Sequence, residues 1–169
     1  MNTRKVAFVT GASRGIGKAC AVSLAQAGYD VAVSARTMTD GTARLDDGIT
    51  PVPGGLDTTV EQIIKAGREG HPIQMDLLDR QSVLDAADEA IEHFGRIDVL
   101  VNNAIYQGPG AMLTIEELDD SYLNQLFEGN VFAQLGLIRY LLPTFIDQGG
   151  ATIVNMISAT AFTSCRQTY

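Results

Sequence analysis

The chain has 169 residues, 46% of them hydrophobic, which predicts one globular domain over 1–169 with a single core. Its formal net charge of −8 argues against nucleic acid and anionic membranes as partners, because both attract organised basic surfaces. No apolar run approaches the ~20 residues that a spanning helix needs, so we expect no membrane-spanning segment.

Targeting and metal-binding patterns are weak in this sequence. Residues 1–5 lead directly into a strand-like stretch, without the apolar core and cleavage site of a secretory signal, which predicts a cytoplasmic location. Cys20 and Cys165 lack both metal-ligand spacing and a disulfide pattern, so we expect reduced thiols. His71 and His93 have no cysteine or further histidine at ligand spacing, and we therefore predict no metal site.

Strand-like and helix-like segments alternate along the chain. The periodicity predicts strands at 6–10, 31–35, 73–75, 97–102 and 151–157, and helices at 15–27, 56–66, 81–94 and 120–145. Thr114 and Glu117 form a plausible capping box for the last helical region. The apolar run at 151–157 is typical of a strand covered on both faces. This order predicts an α/β fold, a three-layer doubly wound parallel sheet (Rossmann fold) with five strands.

Segment 37–55 is too long for a routine connection between a strand and a helix. It contains four glycines and two prolines around Asp46 and Asp47. Two interpretations are open, a surface insertion or a flap beside a cofactor, and the composition favours the first.

A glycine-rich turn lies between the first predicted strand and the first predicted helix. Glycines at 11, 15 and 17 would let the chain turn sharply and approach a pyrophosphate, while free N–H groups and the helix dipole favour an anion. The spacing T-G-x-x-x-G-x-G resembles the cofactor loop of the short-chain dehydrogenases/reductases. The resemblance implies cofactor contacts from a set within this loop: Gly11, Ser13, Arg14, Gly15, Ile16 and Gly17.

The end of the second strand bears on the choice of nicotinamide cofactor. An acidic residue there suits the ribose of NAD, whereas a basic residue suits the 2′-phosphate of NADP. Here Arg36 follows the strand and Arg14 lies in the loop, so we expect NADP, with NAD as the less favoured alternative. Either arginine could instead be an ordinary surface charge.

Two further segments extend the resemblance to the cofactor's other parts. Asp76 matches the family aspartate that contacts the adenine amino group, with Leu77 beside it; the alternative for Asp76 is a carboxylate at a helix N-terminus. Asn103 and Ala104 match an N-N-A-G motif that lies against the cofactor. Ile105 replaces the glycine of that motif, and its branched side chain cannot take glycine-only backbone angles.

The resemblance also implies catalytic residues. Asn130 matches the asparagine that holds a water in a proton relay, with a backbone-capping role as the alternative. Ser158 matches the serine that polarises a substrate carbonyl, and Tyr169 the tyrosine that transfers the proton. The 11-residue spacing from Ser158 to Tyr169 is shorter than we expect of the family, so Tyr169 could be a neighbouring aromatic residue.

The family places a lysine four residues after this tyrosine, a position that lies beyond the given sequence. We therefore expect the chain to be a C-terminally truncated piece of a longer reductase, which would form a homo-oligomer at full length. The expected activity is hydride transfer between NADP(H) and a small alcohol or carbonyl substrate. The alternatives are an inactive nucleotide-binding sensor of the same fold and an unrelated nucleotide-binding α/β domain, such as a methyltransferase.

Overall fold

The computed structural model describes residues 4–44, 48–108, 113–114 and 116–159. The strands in this part of the chain are β1 (Val6–Thr10), β2 (Asp30–Ala35), β3 (Ala43–Arg44), β4 (Pro51–Val52), β5 (Gly70–Gln74), β6 (Val99–Asn102) and β7 (Thr152–Asn155). The helices are α1 (Gly15–Gln26), α2 (Leu56–Lys65), α3 (Arg80–Phe94), α4 (Asp120–Phe127) and α5 (Ala133–Asp147), with a π-helical segment (Glu128–Phe132) between the last two.

Five of the strands form a parallel sheet in the order β5-β2-β1-β6-β7. Every residue of β1 and β2 is buried, as expected for the middle strands of a sheet covered on both faces. From β1 the chain first adds β2 and β5 on one side of the sheet and then β6 and β7 on the other side. The strand order therefore reverses between β1 and β6. In sheets of this kind ligands bind beside that reversal, outside the carboxyl ends of the strands.

Alternate residues of β1 supply two separate hydrophobic cores. Val6 and Phe8 pack into a core with side chains of α3 and α5, whereas Ala7 and Val9 pack into a second core with α1 and α2. Successive strand residues point to opposite faces, so each face of the sheet has its own helical layer. The predicted three-layer doubly wound sheet is confirmed.

The capping box predicted at Thr114 does not begin a helix. The Glu117 carboxylate accepts hydrogen bonds from the N–H and the hydroxyl of Thr114, at 3.1 and 2.9 Å, within a separate turn. Helix α4 begins at Asp120, and the side chain of Asp119 accepts from the first-turn N–H groups of Ser121 and Tyr122. Asp119 caps the helix because its carboxylate reaches N–H groups that have no partner within the helix.

The periodicity predicts one helix over 120–145. The structure instead divides this region into α4, a π-helical segment and α5. Its middle turn, Glu128–Phe132, is π-helical, and it contains the buried Gly129 and the candidate residue Asn130. A π turn inserts an extra residue per turn and so changes the direction in which the side chains before and after it point. Hydrophobic periodicity does not reveal such a local change.

Strand β7 is exposed rather than covered on both faces. All four of its residues are solvent-exposed among the described residues, with Ile153 at 38% and Val154 at 39%. The described helices pack against the other strands, so the cover that this apolar run predicts is not supplied by the described part of the chain. None of the described helices has the length and apolar character needed to cross a membrane.

Candidate cofactor site

A cleft of about 420 Å³ opens beside the glycine-rich turn. It lies where β1, β2, β5 and β6 end, the position expected for a ligand of this fold. Of the residues predicted to bind the cofactor, all except Gly15 line it: Gly11, Ser13, Arg14, Ile16, Gly17, Arg36, Asp76, Leu77, Asn103 and Ala104. The fold therefore gathers side chains from four separate segments of the sequence into one cavity.

The glycines of the turn allow close packing between the turn and the end of β6. Gly11 has a φ of 67°, and a Cβ there would lie 2.7 Å from the Cα of Ala104. A Cβ on Gly17 would collide with the carbonyl of Gly11 and the side chain of Asn103. A Cβ on Gly15 would instead meet nothing within 4 Å, although its φ of 55° still favours glycine.

The N-terminus of α1 has the features of an anion-binding site. The N-cap residue, Arg14, makes no side-chain capping bond, and the first turn carries no acidic residue. The first N–H groups of a helix have no partner within the helix, and its dipole favours negative charge at this end. This turn is therefore suited to the pyrophosphate of a dinucleotide.

Thr10 is a site residue that sequence reasoning missed. Its buried hydroxyl accepts hydrogen bonds from the backbone N–H groups of Asn103 and Ala104, both at 3.0 Å. The Asn103 side chain donates in return to the carbonyls of Thr10 and Gly11, at 3.0 and 3.2 Å. The hydrogen bonds of Thr10 and Asn103 thus connect the glycine turn to the end of β6. The threonine before the first glycine was visible in the motif, but its partners are about 93 residues away.

Arginine is the main source of charge in the cleft. Among the described residues, Arg14, Arg36 and Arg44 line it, against one carboxylate, Asp76. Because the chain as a whole is acidic, with a formal charge of −8, this local excess of positive charge marks the cleft as suited to an anionic ligand.

Residues 37–44 and 48–55, termed here the 37–55 loop, lie beside the cleft, and Thr37, Ala43 and Arg44 line it. The N–H of Leu56 donates to the carbonyl of Thr37 at 3.1 Å, which closes the base of the loop. Arg14 Nη2 donates to the carbonyl of Gly54 at 2.9 Å and to Thr37 Oγ1 at 3.3 Å, which ties the base to the glycine turn. The composition of this segment favours a surface insertion. The lining residues Ala43 and Arg44 instead favour the alternative, a flap beside the cofactor.

Asp76 does not cap helix α3, although it lies near its start. Asp79 is the N-cap, accepting from the N–H groups of Gln81 and Ser82 at 2.9 and 3.2 Å. Asp76 Oδ1 accepts only a local bond, from the Leu78 N–H at 3.0 Å, and its residue borders the cleft. Its carboxylate retains acceptor capacity toward a ligand.

Ile105 fits the loop after β6 without backbone strain. Among the described residues, positive φ angles occur only at glycines, so Ile105 has an ordinary φ. Its side chain is 57% exposed and borders the cleft. The expected conflict with glycine-only angles is therefore absent at this position.

Asn130 and Ser158, the two predicted catalytic residues that the structure describes, do not line this cleft. Asn130 binds the backbone of Tyr106, a cleft residue, while Ser158 is exposed three residues after the end of β7. Strands β6 and β7 are paired in register at Asn102 and Asn155, so Ser158 and Asn103 follow the same edge of the sheet. Tyr169 lies outside the described residues. No three His, Cys, Asp or Glu side chains cluster as metal ligands in the described part of the chain.

A family model described as short chain dehydrogenase matches residues 5–48 and 49–168. The chain belongs to the short-chain dehydrogenase family. An uncharacterized oxidoreductase of Mycobacterium tuberculosis (strain CDC 1551 / Oshkosh) is 32% identical over 155 residues, which cover 91% of this chain and 52% of that protein. This short-chain dehydrogenase sequence thus spans about half the length of that curated relative.

Two solved structures share the fold over most of the chain. A metagenomic short-chain oxidoreductase in complex with NADP is 28% identical, with a TM-score of 0.77, and the match covers 95% of this chain and 65% of that one. Carveol dehydrogenase from Mycobacterium avium in complex with NAD is 25% identical, with a TM-score of 0.78, and covers 95% and 57%. Both cofactors therefore occur among structural relatives of this short-chain dehydrogenase.

Proposed function

We propose that this short-chain dehydrogenase transfers a hydride between NADP(H) and a small alcohol or carbonyl substrate. The observation that carries the proposal is the cleft itself, in which a glycine turn at a helix N-terminus meets three arginines and one carboxylate. A dinucleotide with a pyrophosphate and a 2′-phosphate matches this arrangement in charge.

In this proposal, different groups of cleft residues bind different parts of the cofactor. The turn from Gly11 to Gly17, with Ser13 and Ile16, holds the pyrophosphate through backbone N–H groups. Arg36, with Arg14, binds the 2′-phosphate. Asp76 and Leu77 take the adenine, while Asn103 and Ala104 border the nicotinamide ribose. A bound nicotinamide would supply or accept the hydride.

The chain's own residues handle the substrate oxygen. In the direction of reduction, the Ser158 hydroxyl donates a hydrogen bond to the carbonyl oxygen and so stabilises the charge that develops there. The Tyr169 hydroxyl donates its proton to the same oxygen as the carbon receives the hydride, leaving a phenolate that must be reprotonated. Oxidation reverses both transfers. Because an ordinary tyrosine has a pKa of about 10, the Tyr169 proton needs a nearby positive charge to leave at neutral pH.

Asn130 is a positioning residue with a second candidate role. Its side chain holds the backbone of Tyr106 with one acceptor and one donor site, at 2.7 and 3.0 Å. A carboxamide has a further acceptor lone pair and a further N–H, which would serve a water in a proton relay.

One specific observation favours a second function, a nucleotide-binding sensor without catalysis. Asn130 is engaged with the backbone at Tyr106, so its position is explained without any catalytic water. In a sensor the cleft would bind NADP(H) with the same preference but would turn over no ketone. Steady-state turnover of a panel of ketones and alcohols distinguishes the two functions.

The proposal extends to location and assembly. We infer a cytoplasmic enzyme that forms homo-oligomers. Large apolar side chains support assembly, since they are exposed along the outer side of α4, the π segment and α5, among them Phe127, Phe132 and Leu135 at 50%, 54% and 50%. Exposed apolar patches of this kind mark protein interfaces.

The test is a pair of titrations with NADPH and NADH, followed by nicotinamide fluorescence. We expect tighter binding of NADPH, and we expect Arg36→Asp to reverse the preference, because a carboxylate repels the 2′-phosphate and accepts from a ribose hydroxyl. Arg80→Ala, which changes an exposed arginine outside the cleft, is the control. Equal affinities of the wild type for both cofactors would contradict the NADP preference.

A further inference from the structure

The 37–55 loop brings a third arginine to the cleft, and the proposed function assigns it no part of the cofactor. Arg44 ends strand β3, whose antiparallel pairing with β4 aligns Ala43 with Val52 and Arg44 with Pro51. Both Ala43 and Arg44 line the cleft. The hairpin therefore presents a cation to the same cavity as the glycine turn.

The base of this loop stands next to the other two arginines. The loop leaves β2 directly after Arg36, and its return strand reaches Gly54, where Arg14 binds the carbonyl at 2.9 Å. Gly54 approaches the turn so closely that a Cβ there would lie 2.7 Å from the carbonyl oxygen of Ser13. The loop is thus anchored beside the 2′-phosphate end of the proposed cofactor site.

Further hydrogen bonds hold the loop base in one conformation. The Asp57 carboxylate accepts from the Asp40 N–H at 3.1 and 3.0 Å, and Asp40 Oδ1 accepts from the Gly54 N–H at 2.5 Å. The Asp57 N–H donates to the carbonyl of Met38 at 3.0 Å. A loop closed in this way positions its hairpin at little additional entropic cost when a ligand binds.

The guanidinium groups of Arg14 and Arg44 differ in which nitrogens are available to hydrogen-bond a ligand. Arg14 uses Nη2 to hold Gly54 and Thr37. Arg44 uses Nη1 for the carbonyls of Gly41 and Ala43, at 2.5 and 2.9 Å, which leaves its Nη2 and Nε without a partner among the described residues. These two nitrogens form one edge of the guanidinium, the geometry that binds two oxygens of a phosphate.

We propose that Arg44 binds the 2′-phosphate of NADP(H) together with Arg36, so that strand β3 contributes to cofactor preference. This inference rests on the proposed function, because it concerns the same cofactor. It adds Arg44 to the phosphate contacts of Arg36, while Arg14, which the proposed function also places at the phosphate, holds the base of the loop as well. A surface role for Arg44 would leave the affinity for both cofactors unchanged.

The experiment compares Arg44→Ala and Arg44→Lys with the control Arg80→Ala, in the protein at its natural length. Dissociation constants for NADPH and NADH are measured by nicotinamide fluorescence. We expect Arg44→Ala to weaken NADPH binding about tenfold, the effect of losing one charge-assisted hydrogen bond, and to change NADH binding by less than about twofold. Arg44→Lys retains the charge but not the two-pronged geometry, so its affinity for NADPH falls in between.

Three results separate this inference from the proposed function. If the wild type binds NADPH tightly and Arg44→Ala binds it equally well, the inference fails and the proposed function stands. Equal weakening of NADPH and NADH in Arg44→Ala also overturns the inference, because it would mark a structural role for the hairpin. If the wild type binds neither cofactor, the proposed function fails and the inference with it.

Discussion

The carboxamide of Asn130 binds both polar backbone groups of Tyr106. Its Oδ1 accepts the Tyr106 N–H at 2.7 Å, and its Nδ2 donates to the Tyr106 carbonyl at 3.0 Å. This pair joins the π segment to the loop after β6, whose residues Ala104, Ile105 and Tyr106 line the cleft. A side chain in the middle of a helical region thereby determines the shape of a cofactor wall.

Replacement of Asn130 by Ala should destabilise the protein and weaken cofactor binding. Loss of both hydrogen bonds leaves the Tyr106 N–H and carbonyl without these partners, at a cost of about 1–3 kcal/mol in the free energy of unfolding. Urea unfolding and an NADPH titration measure the two effects. Asn124→Ala, at an exposed position of α4, is the matched control and should stay within about 0.5 kcal/mol of the wild type. Unchanged stability with reduced kcat alone would contradict the positioning role.

Substitution of Gly17 by Ala should disrupt the contact between the glycine turn and β6. The added Cβ would collide with the Gly11 carbonyl and the Asn103 side chain, so the turn must shift and NADPH binding should be lost. Gly136→Ala is the control, because a Cβ at that helical position meets nothing within 4 Å. It should stabilise α5 by about 0.5–1 kcal/mol through backbone entropy. Normal NADPH affinity in Gly17→Ala would show that the turn packs differently.

Removal of the buried Thr10 hydroxyl should destabilise the protein, and a near-isosteric substitution tests this. Thr10→Val removes the acceptor for the N–H groups of Asn103 and Ala104 while keeping the size of the side chain. We expect a loss of about 1–3 kcal/mol in the free energy of unfolding, measured by urea denaturation. Thr10→Ser keeps the hydroxyl and should recover most of that loss. Wild-type stability in Thr10→Val would show that these hydrogen bonds contribute nothing to the free energy of unfolding.

We expect the free energy of unfolding to depend on pH through the Asp98 carboxyl. Burial opposes its ionisation, but hydrogen bonds from Arg96 and the Val6 N–H, with the nearby charges of Arg96 and Lys5, outweigh burial and lower the pKa of the Asp98 carboxyl. A folded-state pKa below the ordinary value of about 3.9 stabilises the fold above that pH, and the stabilisation is lost as the pH falls through the lower folded value.

Asp98→Asn tests this dependence. We expect the variant to be less stable than the wild type by about 1–2 kcal/mol at pH 7, and the difference to shrink as the pH is lowered from about 5 to about 3. Urea unfolding across this range is the measurement, with Asp147→Asn, at an exposed helix end, as the control. A stability difference that does not vary with pH would mean that the Asp98 charge contributes nothing.

Local patterns predicted most of the secondary structure. Short apolar runs indicate buried strands, and β1, β2 and β6 lie close to their predicted positions, whereas β5 shares only Ile73 and Gln74 with the predicted 73–75. The errors came where capping depends on neighbours. Asp119 rather than Thr114 caps α4, because propensity does not report which groups meet in the folded chain.

The glycine turn could be predicted because all of its determinants lie within 10–17. The placement of Arg36 followed from the rule that the residue after the second strand meets the ribose, and that of Asp76 from the resemblance to the family; the cleft brings both together. The roles of Asn130, Ser158 and Tyr169 stay predictions.

The amino-acid sequence by itself determined the order of strands and helices, the parallel sheet and the anion-binding turn, since hydrophobic period and glycine spacing act over a few residues. Only the tertiary structure decided which distant groups meet. The bonds of Thr10 to Asn103 and of Asn130 to Tyr106 span 93 and 24 positions, and the 37–55 loop reaches the cleft through the clamp between Arg14 and Gly54. Such contacts depend on strand register and loop closure, which are set by the packing of the whole chain.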